Sequence, residues 1–176
     1  MKFSLVVLKT QVYGESDLLV ESLTAEDGRR TFMARNARKS RKRFTGALAL
    51  GHRLQVEAKA RPRGFFTIVS CENVQPIDRV RRDLSGFQFL SLGLELARRL
   101  CVEGQADPNS YELLIRFIET LEAHGPVPLF LLRYELCMLS HHGYQLHFDH
   151  CVETGQPASA LSLSKGGAIC HRQVKA

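Results

Sequence analysis

The chain changes its hydrophobic rhythm near its middle. Before residue 80, apolar positions come in short, partly β-branched runs, as expected of half-buried strands. Residues 3–8, 18–23 and 30–34 are three such runs. Residues 53–58 alternate apolar and polar with period two, and residues 65–69 follow a Pro62/Gly64 turn. Asp27-Gly28 between the second and third runs is a short hairpin signal. Five strands at hairpin spacing predict a small barrel, for which the OB-fold is the five-stranded candidate. An SH3-like barrel also fits the pattern.

After residue 80 the period lengthens. Leu84, Phe87, Leu90, Ser91, Leu94, Ala97 and Cys101 recur at three and four, which predicts an amphipathic helix ending near Gly104. Asp107-Pro108 reads as a helix start, a capping carboxylate followed by a proline whose missing N–H costs nothing there. Tyr111, Leu114, Ile115, Ile118 and Leu121 line that helix, and Gly125 ends it. A third helix begins around Pro126-Val127-Pro128 and ends at Gly143. It is apolar on nearly every side, so it is expected at the buried centre of a bundle. The tail from Tyr144 has little periodicity and reads as loop. The predicted fold is therefore α+β: a β-barrel over 1–80, followed by an α-helical domain over 81–176.

Charge separates the same two halves. The 176 residues carry net charge +6, yet residues 1–80 hold 15 Lys/Arg against 8 Asp/Glu, and residues 81–176 hold 9 against 10. The excess belongs to the barrel half, which points to a polyanionic partner. Its densest part is RNARKSRKRFTG, residues 35–46, with six Lys/Arg and no acid. Arg35, Arg38, Lys39, Arg41, Lys42 and Arg43 can neutralise phosphates, and Phe44 offers a flat face to a base. Arg29 and Arg30, with Lys59, Arg61 and Arg63, lie on strands and turns that a barrel gathers into one surface. No amphipathic basic helix accompanies the run, so nucleic acid is preferred to a membrane. No stretch is long and apolar enough to span a bilayer. Five scattered cysteines and no secretory signal make reduced thiols and a cytoplasmic location the expectation.

Motifs of enzymatic chemistry are sparse. There is no GxxxxGK, GxGxxG or HExxH. Ser162-Leu163-Ser164-Lys165 has SxxK spacing without its companion motifs. No enzymatic activity is expected. In the tail, Cys151 and Cys170 each open what would be a CxxC knuckle, but Thr154 and Gln173 stand at the second positions. His147, His150 and His171 are nearby. A structural zinc site wants four thiolate or imidazole ligands. No cofactor is expected, and Cys151 and Cys170 are leftover candidate ligands.

The spacing of several of these features resembles one family. Lys9-Thr10, Tyr13-Gly14-Glu15-Ser16-Asp17, Gly28, and Ala34-Arg35-Asn36-Ala37-Arg38-Lys39-Ser40-Arg41 through Gly46-Ala47-Leu48 look like the N-terminal domain of RecO, a bacterial recombination mediator. Leu132-Arg133-Tyr134-Glu135-Leu136, His142-Gly143-Tyr144, His150-Cys151 and Thr154-Gly155 resemble the family's helical domain and knuckle region. The resemblance implies an N-terminal OB-fold, binding of single- and double-stranded DNA, annealing of complementary strands and help in loading RecA. It implies RecR and the acidic, apolar C-terminal tail of single-strand binding protein as partners, the tail docking on the helical domain near Arg133. Relative to the family pattern, two knuckle cysteines are replaced, and members usually continue for several more helices. Two other readings share the residues: an adaptor that docks RecR or single-strand binding protein without useful DNA binding, and an RNA-binding OB module.

Overall fold

The structure is a computed structural model that describes residues 1–40, 44, 46–61, 65–75 and 77–170. Five strands close a barrel: β1 (Lys2–Tyr13), β2 (Asp17–Thr24), β3 (Gly28–Ala34), β4 (Arg53–Lys59) and β5 (Phe66–Gln75). Their order around the barrel is β1-β2-β3-β5-β4, antiparallel throughout except for the short parallel pairing of β3 with β5. This is the OB-fold arrangement. The interior is filled by the alternate residues that the strand pattern sets inward, among them Phe3, Leu5, Val7, Val20, Phe32, Leu54, Val56 and Ile68. Phe3 meets Phe32 and Phe66 edge-on at 5.3 and 5.5 Å, the geometry that aromatic quadrupoles favour.

The helices are α1 (Asp78–Arg82), α2 (Leu84–Leu100), α3 (Pro108–His124) and α4 (Pro128–His141). The predicted caps are in place. Asp107 accepts the Ser110 N–H at 3.0 Å, Pro108 opens α3, and Gly125 closes it with φ +81°. Helix α1, five residues long, is too short to leave a periodic signal. It is held by its neighbour instead. Its N-cap Ile77 has no capping side chain, and the Glu122 carboxylate of α3 accepts the N–H groups of Arg79 and Val80 at 2.9 and 3.0 Å. In return Arg79 donates to the Ala123 carbonyl at the end of α3, at 2.6 Å. Each helix thus satisfies an orphan terminus of the other.

Compact packing divides the chain into two units, Met1–Glu135 and Leu136–Ala176, with the division inside α4. In the first unit the helices pack on the barrel. The segment after α2 runs beside β3, where the Arg29 N–H donates to Val102 O at 3.3 Å and the Gly104 N–H to Arg29 O at 3.0 Å. A charged cluster crosses the same junction: Arg29 lies 2.6 Å and Arg98 3.9 Å from the Glu21 carboxylate. Arg98 and Arg99, at 2.8 and 2.7 Å, hold Glu95 down to about 2. Among the helices, Tyr134 is buried, stacks on Phe117 at 4.4 Å and donates its hydroxyl to Gly93 O at 3.1 Å. Gly93 is required there, because a Cβ would come within 2.3 Å of the Phe117 ring.

Two expectations are corrected. Helix α4 is not the buried centre of a bundle: Leu129 and Leu132 are 66% and 49% exposed, and only Tyr134 and Met138 of its residues are buried. Its apolar residues encircle the helix, so composition could not tell which side would find a partner. The tail is not all loop either. In the second unit, β6 (Ala160–Ser162) and β7 (Gly167–Ile169) form a two-stranded hairpin. Its three-residue strands are shorter than any alternation can reveal.

His52, between the barrel and α1, makes the first unit sensitive to acid. It is buried, with Nδ1 3.0 Å from Ala47 O and Nε2 3.4 Å from Arg81 Nη1. Burial lowers its pKa; the Ala47 carbonyl raises it, Arg81 lowers it and Asp78 raises it. A proton on Nε2 would remove the acceptor for Arg81 and set two cations together. Above its ordinary pKa of 6.5, His52 is neutral in both folded and unfolded chains. Below that, the unfolded chain takes the proton first, so stability falls until the pH passes the lowered folded value. Urea unfolding midpoints measured from about pH 7.5 down to about pH 5.5 should therefore drop more steeply in the native chain than in His52→Gln.

Candidate nucleic-acid interface

The basic run connects β3 to β4, and the structure shows how its start is held. Asn36 adopts a left-handed backbone, φ +54°, a conformation asparagine tolerates better than most residues. Its N–H donates to Asp17 Oδ1 at 2.8 Å, and its side chain meets the Ser16 hydroxyl at 3.0 Å. Arg38 donates through its backbone N–H to Ser16 O at 3.1 Å and through Nη1 to Glu15 O at 2.9 Å. The run is thereby joined to the β1–β2 turn at residues 14–16. Arg35, Arg38 and Lys39 are exposed along it.

Phe44 holds the other end. It was expected to offer its ring to a base; it is 4% exposed and lies in the barrel core with Leu48, Ala47 and Leu50. An aromatic in the barrel core is worth more there than as a platform: burying such a side chain contributes roughly 1.5–3 kcal/mol. Phe44 anchors the cations and does not itself face solvent. Arg41, Lys42 and Arg43, between these anchors, lie outside the described residues, as do Arg63, His171 and Gln173.

Arg29 and Arg30 are committed within the protein. Arg29 pairs with Glu21 and donates Nε to Cys101 O at 3.2 Å. Arg30 pairs with Asp27 at 3.0 Å and covers the Phe66 ring at 5.3 Å. Lys59 and Arg61 are exposed at the start of the β4–β5 connection. In OB-folds the β1–β2 and β4–β5 loops flank the ligand face.

Tyr13 is the residue that sequence reasoning missed. It ends β1, is 50% exposed, and pairs across the hairpin with Asp17, whose carboxylate holds Asn36. An aromatic is thus presented beside the tied-down start of the run. Its signal was available: the hairpin register sets Tyr13 opposite Asp17, but nothing local says that residues 35–38 fold back onto that turn. Arg133, on α4, is exposed between the exposed Leu129 and Leu132 on one side and buried Tyr134 on the other.

In the second unit, Cys151 is buried and Cys170 half-buried, and Thr154 Oγ1 donates to Cys170 Sγ at 3.8 Å. The Thr154 hydroxyl, with the N–H groups of Glu153, Thr154 and Cys170, holds the Cys151 thiol well below its ordinary pKa against the opposing effect of burial. Among the described residues, no third Cys, His, Asp or Glu stands with these two at metal-ligand distance. Two thiols and a hydroxyl fall short of the four sulfur or imidazole ligands of structural zinc. Lys165, of the SxxK sequence, lies 2.6 Å from the Glu153 carboxylate. No helix among the described residues is long and apolar enough to cross a membrane.

Comparison with known proteins accounts for both halves. Residues 1–77 match the family described as "Recombination protein O N terminal", and residues 81–175 match "Recombination protein O C terminal". The chain is 34% identical over 175 residues to the DNA repair protein RecO of Anaeromyxobacter sp. (strain K), covering 97% of this chain and 69% of that one. It is 34% identical over 169 residues to the RecO protein of Myxococcus xanthus, covering 94% and 69%. Against that of Geobacter sulfurreducens it is 34% identical over 163 residues, covering 93% and 67%. An OB-fold barrel bearing a basic run, a helical region beside it, and similarity to these proteins over nearly the whole of this chain lead to one conclusion: the chain belongs to the RecO family of DNA repair proteins.

Proposed function

We propose that this protein is a non-enzymatic recombination mediator that binds single- and double-stranded DNA, anneals complementary strands and assists RecA loading together with RecR. The observation that carries this reading is the anchored basic run. Phe44 in the core and Arg38 on the β1–β2 turn tie the described parts of the run to the barrel, with Arg35, Arg38 and Lys39 exposed beside that tie. Annealing needs no catalytic group. Neutralising phosphates on both strands reduces their repulsion, and contacts to phosphate carry no sequence information, so bases remain free to find register. Tyr13 adds a stacking face that accepts any base. The direct test is annealing of complementary oligonucleotides, bare and coated with single-strand binding protein, with and without RecR. Acceleration in both forms is expected; none in either would dismiss the mediator reading. Competition with RNA of the same sequence separates the RNA-binding alternative.

One further observation supports docking of a protein tail. Exposed Leu129 and Leu132 flank exposed Arg133 on α4. Apolar side chains around a guanidinium suit the acidic, apolar C-terminal tail of single-strand binding protein. Arg133→Glu should weaken binding of that tail peptide by about tenfold or more, the loss of one charge-assisted contact being worth roughly 1.5–3 kcal/mol. Measured by fluorescence anisotropy, an unchanged affinity would remove Arg133 from the docking site. Tail binding by a chain that leaves DNA unbound would favour the adaptor.

A further inference from the structure

Cys151 and Cys170 have no part in the DNA or tail surfaces, yet the fold brings them together with some care. The Cys151 N–H donates to Gln156 O and the Gly155 N–H to Cys151 O, both at 2.8 Å, which closes a tight turn over residues 151–156. Val152 N–H to Ala168 O at 2.9 Å and Ser159 N–H to Ile169 O at 3.0 Å pin that turn and the chain after it to β7, which leads directly into Cys170. The Cys170 N–H itself bonds the Cys151 sulfur. One hydroxyl, Thr154 Oγ1, interacts with both sulfurs. A CxxC knuckle would place a second thiolate at position 154. Here a threonine occupies that position, its single hydroxyl proton within reach of both remaining sulfurs.

We propose that Cys151 and Cys170 form a redox-active dithiol, which hydroperoxides convert to an intramolecular disulfide. Juxtaposition is the requirement such a bond imposes, since residues whose sulfurs point apart cannot be bridged without moving backbone. Cys170 is the half-buried residue of the two, and Cys151 has no exposed surface. Their roles follow. The Cys170 thiolate attacks the peroxide, its sulfur takes one oxygen as sulfenic acid, the O–O bond breaks, and the alcohol or water leaves after gaining a proton. The Cys151 thiolate, surrounded by hydrogen-bond donors, then attacks the Cys170 sulfur. An S–S bond forms, the S–O bond breaks, and hydroxide leaves as water. Two thiols are oxidised by two electrons and one peroxide is reduced. Any dithiol reductant reverses the product by exchange.

The experiment uses the full chain and hydrogen peroxide. After exposure, remaining thiols are alkylated in denaturant and the digest is weighed by mass spectrometry. A linked pair containing Cys151 and Cys170, about 2 Da lighter than the two reduced peptides and lost on adding dithiothreitol, is expected. Cys71, Cys101 and Cys137 should remain alkylated. In Cys151→Ser, dimedone should trap sulfenic acid on Cys170 and the link should vanish, a readout that needs only the accessible thiol. Peroxide that leaves both cysteines alkylatable would overturn the proposal. So would links scattered among the five cysteines, or purified chain carrying stoichiometric zinc that shields both sulfurs from alkylation. None of these results bears on DNA annealing, so the two readings stand or fall separately.

Discussion

Replacing Arg38, Lys39, Arg41, Lys42 and Arg43 together with Ala should flatten the salt dependence of single-stranded DNA binding. Each phosphate neutralised on a single strand contributes about −0.7 to the slope of log K against log salt, so five contacts account for up to about −3.5. Over a fourfold rise in salt, that difference is roughly a hundredfold in affinity. Arg38 has a second role. Its guanidinium bonds Glu15 O, so its loss also frees the run from the β1–β2 turn, and Arg38→Lys alone should reduce affinity at every salt concentration. Tyr13→Ala behaves differently by design. Stacking is worth about 1–3 kcal/mol per base and releases no counterions, so affinity should fall with the slope intact, and Tyr13→Phe should restore it. Anisotropy titrations across a salt series distinguish the two effects. A slope unchanged by the fivefold replacement would remove the run as the phosphate contact.

Gly28→Ala should be the most damaging single change in the barrel. Gly28 has φ +63°, and a Cβ there would lie 1.8 Å from Gln105 O and 2.7 Å from Gln105 C, both backbone atoms. The left-handed conformation alone costs an alanine about 1–2 kcal/mol. To relieve the overlap, the segment after α2 must leave β3, giving up the Arg29–Val102 and Gly104–Arg29 hydrogen bonds, each worth about 0.5–1.5 kcal/mol net. A total loss of roughly 4 kcal/mol is expected, which is exceptional for a point substitution. In a chain of this size that is a fall of about 8–16 °C in melting temperature. Gly14 is the control. Its φ is +62°, but nothing lies within 4 Å of a Cβ, so Gly14→Ala should cost the backbone term alone. Equal losses at the two positions in thermal melts would mean that the contact with the 102–105 segment is not what Gly28 protects.

The contrast between these glycines shows where sequence reasoning reaches. Both have a left-handed backbone, Gly14 in the β1–β2 turn and Gly28 at the start of β3. Only the docking of residues 102–105 on β3, some seventy positions away in the chain, makes one of them irreplaceable. The same limit explains the cations. Arg29 and Arg30 are expected on one basic surface because they are basic and lie on strands that a barrel gathers together. Their partners, Glu21 and Asp27, stand beside them in the β2–β3 hairpin, and the hairpin register decides the pairing. Phe44 is expected to face a base, whereas the barrel core takes its ring in. Tyr13 carries no local signal beyond its place in the family motif, and the fold leaves it half-exposed beside the start of the run.

What the sequence determined by itself is what local chemistry can encode. Short, partly β-branched runs separated by turn signals, one of them alternating with period two, pointed to the five strands. Asp107-Pro108 and Gly125 bounded α3. The charge imbalance set the basic excess in the barrel half, and motif order pointed to the RecO family. These signals work because strand alternation, helix caps and net charge depend on residues within a few positions of one another. Tertiary structure alone decided which faces are covered: that α4 leaves Leu129 and Leu132 to solvent, that Glu122 caps a five-residue helix, and that Thr154 closes on two cysteines. Each depends on groups brought together from distant parts of the chain or on which neighbour arrives to bury a face. A hydrophobic residue carries the same free energy of transfer whichever neighbour removes it from water, so composition states that burial is favourable without stating where it happens.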